Sequence, residues 1–351
     1  MIARFGSPLH IERLRASSVY DVHVNPPYQI RSDISRVVRS GFEFPLGIES
    51  VSSGAIQEGY SVDWVEGGGD GPDTFTFFVV LSHSRLSPLL HDLFALLPEQ
   101  VSGIVEMGSR DAFRSVDIFL GERPISCEGF LDTWQAFEDI FLEDTSLAVG
   151  VNADAPFMEI FLDQDKRVTI HVEPGRREDV EAVLSAHELA QQESNVLEMP
   201  DSEFEQIQTR SILVEDPSLL CDIDQLLLVL RHEWALILDE DEDRNLDSGG
   251  RELGRTLWHS IVLVQPSGVL SDGFAHAVLW ACASSRRELE QMVRDQLAES
   301  ADWVLRDFYT LDRVAFDDRP EELASVAPKH PKSEIFMFQI DEHDGFDMRA
   351  D

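Results

Sequence analysis

The chain has 351 residues, of which 43% are hydrophobic and 9% aromatic, enough to bury a sizeable core and to exclude wholesale disorder. Its 28 Lys and Arg stand against 66 Asp and Glu, a formal charge of −38, which is the wrong sign for a surface that neutralises phosphate and so argues against direct nucleic-acid binding. No apolar run approaches membrane-spanning length and the start, Met1-Ile-Ala-Arg-Phe-Gly-Ser-Pro, lacks a signal-peptide core, so the expected location is the cytoplasm, away from membranes.

Residues 1–16 have no clean period and read as an N-terminal arm, with a short amphipathic helix at His10–Arg15. Tyr20, Val22 and Val24 alternate with Asp21 and His23 as a strand, and Ile34, Val37 and Val38 suit a short helix that Gly41 ends. Strand-like stretches follow at Phe42–Ile48, Ala55–Val65 and Thr74–Ser82. Ser87-Pro88 then opens a helix through Leu97, and Val101–Met107 is the next strand.

The same order returns. Ser115–Leu120 reads as a strand and Ser126–Phe141 as a helix with Phe130, Trp134, Phe137 and Phe141 at helical spacing. Ser146–Val151, Phe157–Leu162 and Arg167–Val172 form an antiparallel meander; in its middle strand Met158, Ile160 and Leu162 alternate with Glu159, Phe161 and Asp163. Pro174-Gly175 closes it, and a helix at Arg176–Leu189 covers it with Val180, Val183, Leu184 and His187. A further strand is expected at Asn195–Met199.

A third pass begins with Arg210–Val214 and with Asp216-Pro217, which caps a helix to His232. Strands at Trp234–Leu238, Trp258–Val264 and Phe274–Ala283 follow. Ser285-Arg-Arg-Glu288 has capping-box spacing, and Trp303–Val314 reads as one long strand. The helix starts near Arg31, Ser126 and Pro217 recur at roughly 90 residues, a domain-scale period. The expected fold is therefore α+β: tandem modules of antiparallel sheet with helices packed on the sheet, resembling an elaborated ferredoxin-like unit. Module boundaries fall at 17–110, 111–200 and 201–316, followed by an acidic tail at 317–351 with one strand at Ile335–Ile340.

Chemistry-bearing residues are scattered. In the acidic loop Asp239–Glu252, oxygen ligands at Asp241, Asp243, Asn245, Asp247 and Glu252 follow the order of a calcium loop, but Leu246 occupies the place of the turn glycine and the flanks read as strands. A solvated hairpin loop is the plainer reading. Glu66–Asp73 is glycine-rich yet opens no helix, which leaves it without the amides that hold phosphate. Cys127, at a helix start where the dipole lowers a thiol pKa, has no histidine nominated beside it, and Cys127, Cys221 and Cys282 show no metal or redox spacing. His23, His171, His259 and His276 lie on strands without HxH or HExxH pairing, and Glu159 and Asp163 share a strand face, as a carboxylate pair or a solvated sheet face would.

Lys166, Lys329 and Lys332 are the only lysines, so the other positive charges are arginines. Residues 1–40 hold six arginines and three acids, and the rest of the chain carries the acidity. Such a balance fits a salt-adapted or GC-rich source, or an acidic face for a basic partner. The functional expectation is a non-enzymatic protein-interaction module, an acidic inhibitor or immunity-type protein that binds a basic protein partner, with no cofactor. The alternative is a metal-dependent hydrolase or calcium-binding protein using the Asp239–Glu252 loop.

Overall fold

A computed structural model of the chain describes residues 28–50, 56–68, 72–192, 208–214, 222–267, 275–300, 302–325 and 332–341. The N-terminal arm, the strands at Tyr20–Val24 and Asn195–Met199, the Asp216-Pro217 cap and Cys221 lie outside the described residues. The elements run β1 (Val38–Arg39), β2 (Phe42–Glu43), β3 (Ile48–Ser50), β4 (Gly59–Val65), β5 (Thr74–Val80), α1 (Leu86–Phe94), β6 (Gln100–Gly108), β7 (Val116–Gly121), β8 (Ile125–Ser126), α2 (Cys127–Glu143), β9 (Leu147–Asp154), β10 (Phe157–Leu162) and β11 (Val168–Val172). They continue with α3 (Arg177–Ala186), β12 (Gln208–Thr209), α4 (Ile223–Glu233), β13 (Leu236–Leu238), β14 (Thr256–Pro266), β15 (Ala275–Ala283), α5 (Arg286–Ser300), β16 (Trp303–Phe308), β17 (Asp312–Val314) and β18 (Glu334–Asp341). The class is α+β, and contacts divide the chain into two compact units. Of the described residues, one holds Gly108–Asp117 and those from Asp239 onward; the other holds those up to Met107 and Ile118–Leu238.

The meander at β9, β10 and β11 forms as its alternation requires, with Ile160 opposite Val151 on one side and Ile170 on the other. Its neighbours were not legible. β11 pairs with β5 and β9 pairs with β6, giving a nine-stranded sheet of order β13-β7-β6-β9-β10-β11-β5-β4 with β8 on β6. Residues 17–110 and 111–200 therefore do not close as separate tandem modules, because strands of both stretches interleave in one sheet. Periodicity reports which face of a strand is buried, not which strand lies beside it.

One face of this sheet carries Val149, Val151, Met158, Ile160, Val168, Ile170 and Phe77, all at most 1% exposed. The helices cover that face. Ser126 caps α2 by accepting from Gly129 N at 3.1 Å, and its stripe of Phe130, Trp134, Phe137 and Phe141 is buried, as the spacing requires. Trp234, at the end of α4, stacks on Phe130 at 4.8 Å and Phe141 at 5.9 Å. Gly103 makes room for it, since a Cβ there would sit 2.8 Å from the indole. One local reading changes: Ile34–Val38 is not helical but leads into β1. Helix α4 is described from Ile223, where Asp222 accepts from Gln225 N at 2.8 Å.

At the β10–β11 turn, Lys166 takes a left-handed φ of 62° and turns inward, where it is buried. Its Nζ donates to Leu147 O at 2.8 Å. Burial lowers its pKa from 10.5 to about 8, while Asp144, Asp163, Asp165 and Glu143 oppose that fall. Nearby, Glu143 receives Arg36 and Leu46 N, and both nitrogens of His83 lack a hydrogen-bond partner among the described residues. Nε2 lies 2.9 Å from Glu143 Oε1 but outside hydrogen-bond geometry. The pocket between His83 and Lys166 holds about 20 Å³, room for roughly one water.

In the other unit the sheet order is β16-β14-β15-β18, with β17 also on β14. The expected long strand Trp303–Val314 is two strands, because Tyr309 N and Thr310 N both turn onto Ile261 O. Helix α5 packs Leu289, Val293 and Leu297 on this sheet, and Ser285 caps it from Glu288 N at 3.2 Å, while Glu288 accepts from Ser284 N. The centre is a buried ion pair: Arg313, 4% exposed, reaches Asp111 at 2.7 Å, Asn245 Oδ1 at 2.9 Å and Leu246 O at 2.6 Å. Its guanidinium lies 5.6 and 5.7 Å from the Phe113 and Trp258 rings.

Two measurements check these arrangements. Replacing Arg313 with Met leaves Asp111 buried and unpaired, and is expected to destabilise the protein by about 3–5 kcal/mol in denaturant titration. The folded pKa of Lys166 lies below its unfolded value, so the unfolded chain binds the extra proton between about pH 8 and 10.5 and stability rises with pH across that window. The rise, on the order of 3 kcal/mol at about 1.4 kcal/mol per unit, is expected to disappear in Lys166→Met.

Candidate functional site: the open face of the nine-stranded sheet

The face of the sheet opposite the helices follows from the same alternation. Cross-strand register places Ser102 of β6, Asn152 of β9, Glu159 of β10, His171 of β11, Thr76 of β5 and Asp63 of β4 directly opposite one another, a polar row across six strands. The next row holds Ile104, Gly150, Phe161, Thr169, Phe78 and Ser61. Phe161 lies across β9 at Gly150, where a Cβ would meet its ring at 2.7 Å. Phe78, Phe157 and Phe161 stay half-exposed and take no part in the core cluster.

The row is electrostatically unusual. Thr76 Oγ1 is 2.9 Å from His171 Nδ1, and His171 Nε2 is 4.0 Å from Glu159 Oε1. Burial lowers the pKa of His171, and burial together with the charge of Glu106 raises that of Glu159. Glu106, on the same face of β6, is raised by burial and by Asp163. The face thus favours the neutral form of its imidazole and holds Glu106 and Glu159 above their ordinary range, a displacement that clusters at working surfaces.

A hydroxyl, an imidazole and a carboxylate in line are also the parts of a nucleophilic relay. Two features turn the arrangement away from that use. Thr76 is only 2% exposed, beneath the histidine, and β5, β11 and β10 are paired on both sides, so their ladder amides are not free to hold an oxyanion. The face presents half-buried acids and aromatic rings on a continuously paired sheet.

The residues expected to bind calcium are in the other unit and are directed elsewhere. Asp241 accepts from Asp243 N and Arg244 N, Asp243 pairs with Arg287, and Asp247 accepts from Gly249 N, Arg251 N and Arg251 Nε. Glu252 lies 3.4 Å from Arg244, and Asn245 is buried, donating to Gly254 O and Thr256 Oγ1 and accepting from Arg313. Among the described residues no group of three or more His, Cys, Asp or Glu side chains is arranged to hold a metal ion. Glu66–Asp73 joins β4 to β5 and is held by Gly67 N donating to Asp73. The Cys127 thiol is raised by burial, not lowered by the helix, and Cys282 is pushed up to about 11. His259 stacks on Trp280 at 4.5 Å, His276 lies 5.9 Å from Tyr309, and His23 is outside the described residues.

Of the sequence candidates, Glu159, Asp163 and His171 come together on one face; Thr76, Glu106 and Asp63 were missed. Their own strands gave no sign, since only the pairing of β5 with β11 and of β6 with β9 brings them there. No protein-family model matches the chain, and comparison with curated proteins and with solved structures gives no significant match.

The raised pKa of Glu159 means that folding disfavours its ionised form. The folded state binds the extra proton from pH 4.5 upward, and stability falls as pH rises through the folded value. Glu159→Gln is therefore expected to be more stable than the parent at pH 7, with the difference vanishing below pH 4.5 in thermal melts. A variant less stable than the parent at pH 7 would contradict this account of the site.

Proposed function

We propose that the protein is a non-enzymatic interaction module that receives a basic protein partner on the open face of the nine-stranded sheet, in the manner of an acidic inhibitor or immunity-type factor. The observation that carries this reading is the charge of that face. Asp63, Glu106, Asp154, Glu159 and Asp163 lie on it, His171 is held toward its neutral form, and Arg167 is already paired with Asp163 and Asp165. Many arginines among the described residues are matched in the same way. Arg36, Arg85, Arg114, Arg176, Arg177, Arg286, Arg287 and Arg313 all sit against carboxylates of their own unit. The unmatched charge is thus acidic, and the half-exposed phenyl rings add apolar area to a surface that would otherwise bind by charge alone. The alternative, a metal-dependent hydrolase or calcium-binding protein using the Asp239–Glu252 loop, has less support, since Asp241, Asp243, Asn245, Asp247 and Glu252 already face arginines or backbone amides.

The test separates a site from bulk acidity. A short oligo-arginine peptide is titrated into the full chain at low and high salt. Glu106→Gln/Asp154→Ser/Glu159→Gln is expected to weaken binding about tenfold or more at low salt, whereas the charge-matched Glu128→Gln/Asp132→Ser/Glu299→Gln leaves it nearly unchanged. Equal losses in both variants would overturn the reading in favour of a diffuse polyanion.

A further inference from the structure

Strand β4 lies at one edge of the nine-stranded sheet, and only its first part is covered among the described residues. Tyr60 N donates to Ala190 O at 3.1 Å and Gln192 N donates to Tyr60 O at 2.7 Å, a parallel bridge that ends there. Those two bonds fix the direction of the strand's peptide groups. Tyr60 faces outward, so Gly59, Ser61, Asp63 and Val65 bond inward to β5, and Val62 and Trp64 turn their N–H and C=O to the open edge. Among the described residues these groups of Val62 and Trp64 have no partner across that edge. Trp64 is 45% exposed and Val65 48%, and Trp64 is braced edge-on against Phe75 at 4.8 Å.

Edge strands are commonly blunted by Lys, Pro or a bulge. β4 has none of these; its register with β5 is continuous from Gly59 to Val65, and its only charge is Asp63. A second copy of the chain laid on this edge would bring acid to acid, while a basic strand would not. Glu66, just beyond the strand, extends the same preference. Alternation then specifies the visitor: residues beside Val62 and Trp64 share the helix side of the sheet and are apolar, and those beside Asp63 share the open face and are basic.

We propose that the edge of β4 from Val62 to Val65 takes an extended segment of the basic partner as an added strand, with apolar and basic residues in alternation. The inference rests on the reading of the open face as a docking surface for a basic protein and names the form in which that partner meets it. Main-chain bonds to Val62 and Trp64 hold the segment, and Asp63 sets the sign of the side chain opposite it.

The probe is the blocked peptide Val-Lys-Val-Arg-Val, with the full chain at low salt. Binding is expected to shift the Trp64 fluorescence and to slow hydrogen exchange of the Val62 and Trp64 amides. Val62→Pro removes an outward N–H that β5 does not use, so the sheet persists, as a parent-like melting temperature would show. It is expected to weaken the peptide about tenfold or more while oligo-arginine still binds the open face. Should the variant not fold, the same peptide methylated at alternate backbone nitrogens must fail to bind the parent chain.

Unchanged peptide binding by Val62→Pro, or by the methylated peptide, would overturn the proposal. So would a concentration-dependent dimer that Val62→Pro abolishes, which would make the occupant a second copy. Loss of the peptide in Val62→Pro, with full binding in Glu106→Gln/Asp154→Ser/Glu159→Gln, would uphold the edge and remove the open face from the reading.

Discussion

The register between β10 and β11 is the constraint on which the rest of this unit depends. Five consecutive pairs, from Met158 opposite Val172 to Leu162 opposite Val168, fix which side chains meet the helices and which meet solvent. A slip of either strand by one residue would turn its polar side chain, Glu159 or His171, toward the helices and expel its isoleucine, Ile160 or Ile170. The buried face therefore enforces the order of the exposed one. The polar row is a consequence of hydrophobic burial, not of polar attraction, and Glu159 and His171 sit 4.0 Å apart because Ile160 and Ile170 must face the core.

Charge in this chain works on two levels. Buried or half-buried arginines such as Arg313 and Arg36 take carboxylates inward with charge-assisted hydrogen bonds, one joining a loop to β17 and the other a loop to α2. Pairing many arginines with carboxylates of their own unit leaves the remaining carboxylates, in a chain of net charge −38, in excess over cations. A protein built this way repels its own copies and attracts cations from a distance, the behaviour expected of a module that finds a basic partner by electrostatic steering.

Much of each element was legible in the sequence, and little of the assembly. Met158, Ile160 and Leu162 announced a half-buried strand, and Phe130, Trp134, Phe137 and Phe141 announced α2, because both signals are local and periodic. The interleaving of β5 and β6 with β9 to β11 depends on contacts far apart in sequence, as Thr76 and His171 show with 95 residues between them. The candidate site inherits that difficulty, since Glu159 and His171 were visible one strand at a time but not as a row. The calcium spacing is subject to the same limit. Asn245 turns inward to Arg313, 68 residues further on, and a spacing rule cannot see a partner so distant.

Lys166 has a consequence beyond the turn that it anchors. Only Lys329 and Lys332 accompany it in the whole chain, and they lie close together in sequence. With the Lys166 amine sealed against Leu147, enzymes that acylate or conjugate lysine are left with the two lysines of a single short stretch of sequence, of which Lys332 is exposed. A tag or surface attached through side-chain amines would hold the molecule by that stretch and leave the nine-stranded sheet free of label.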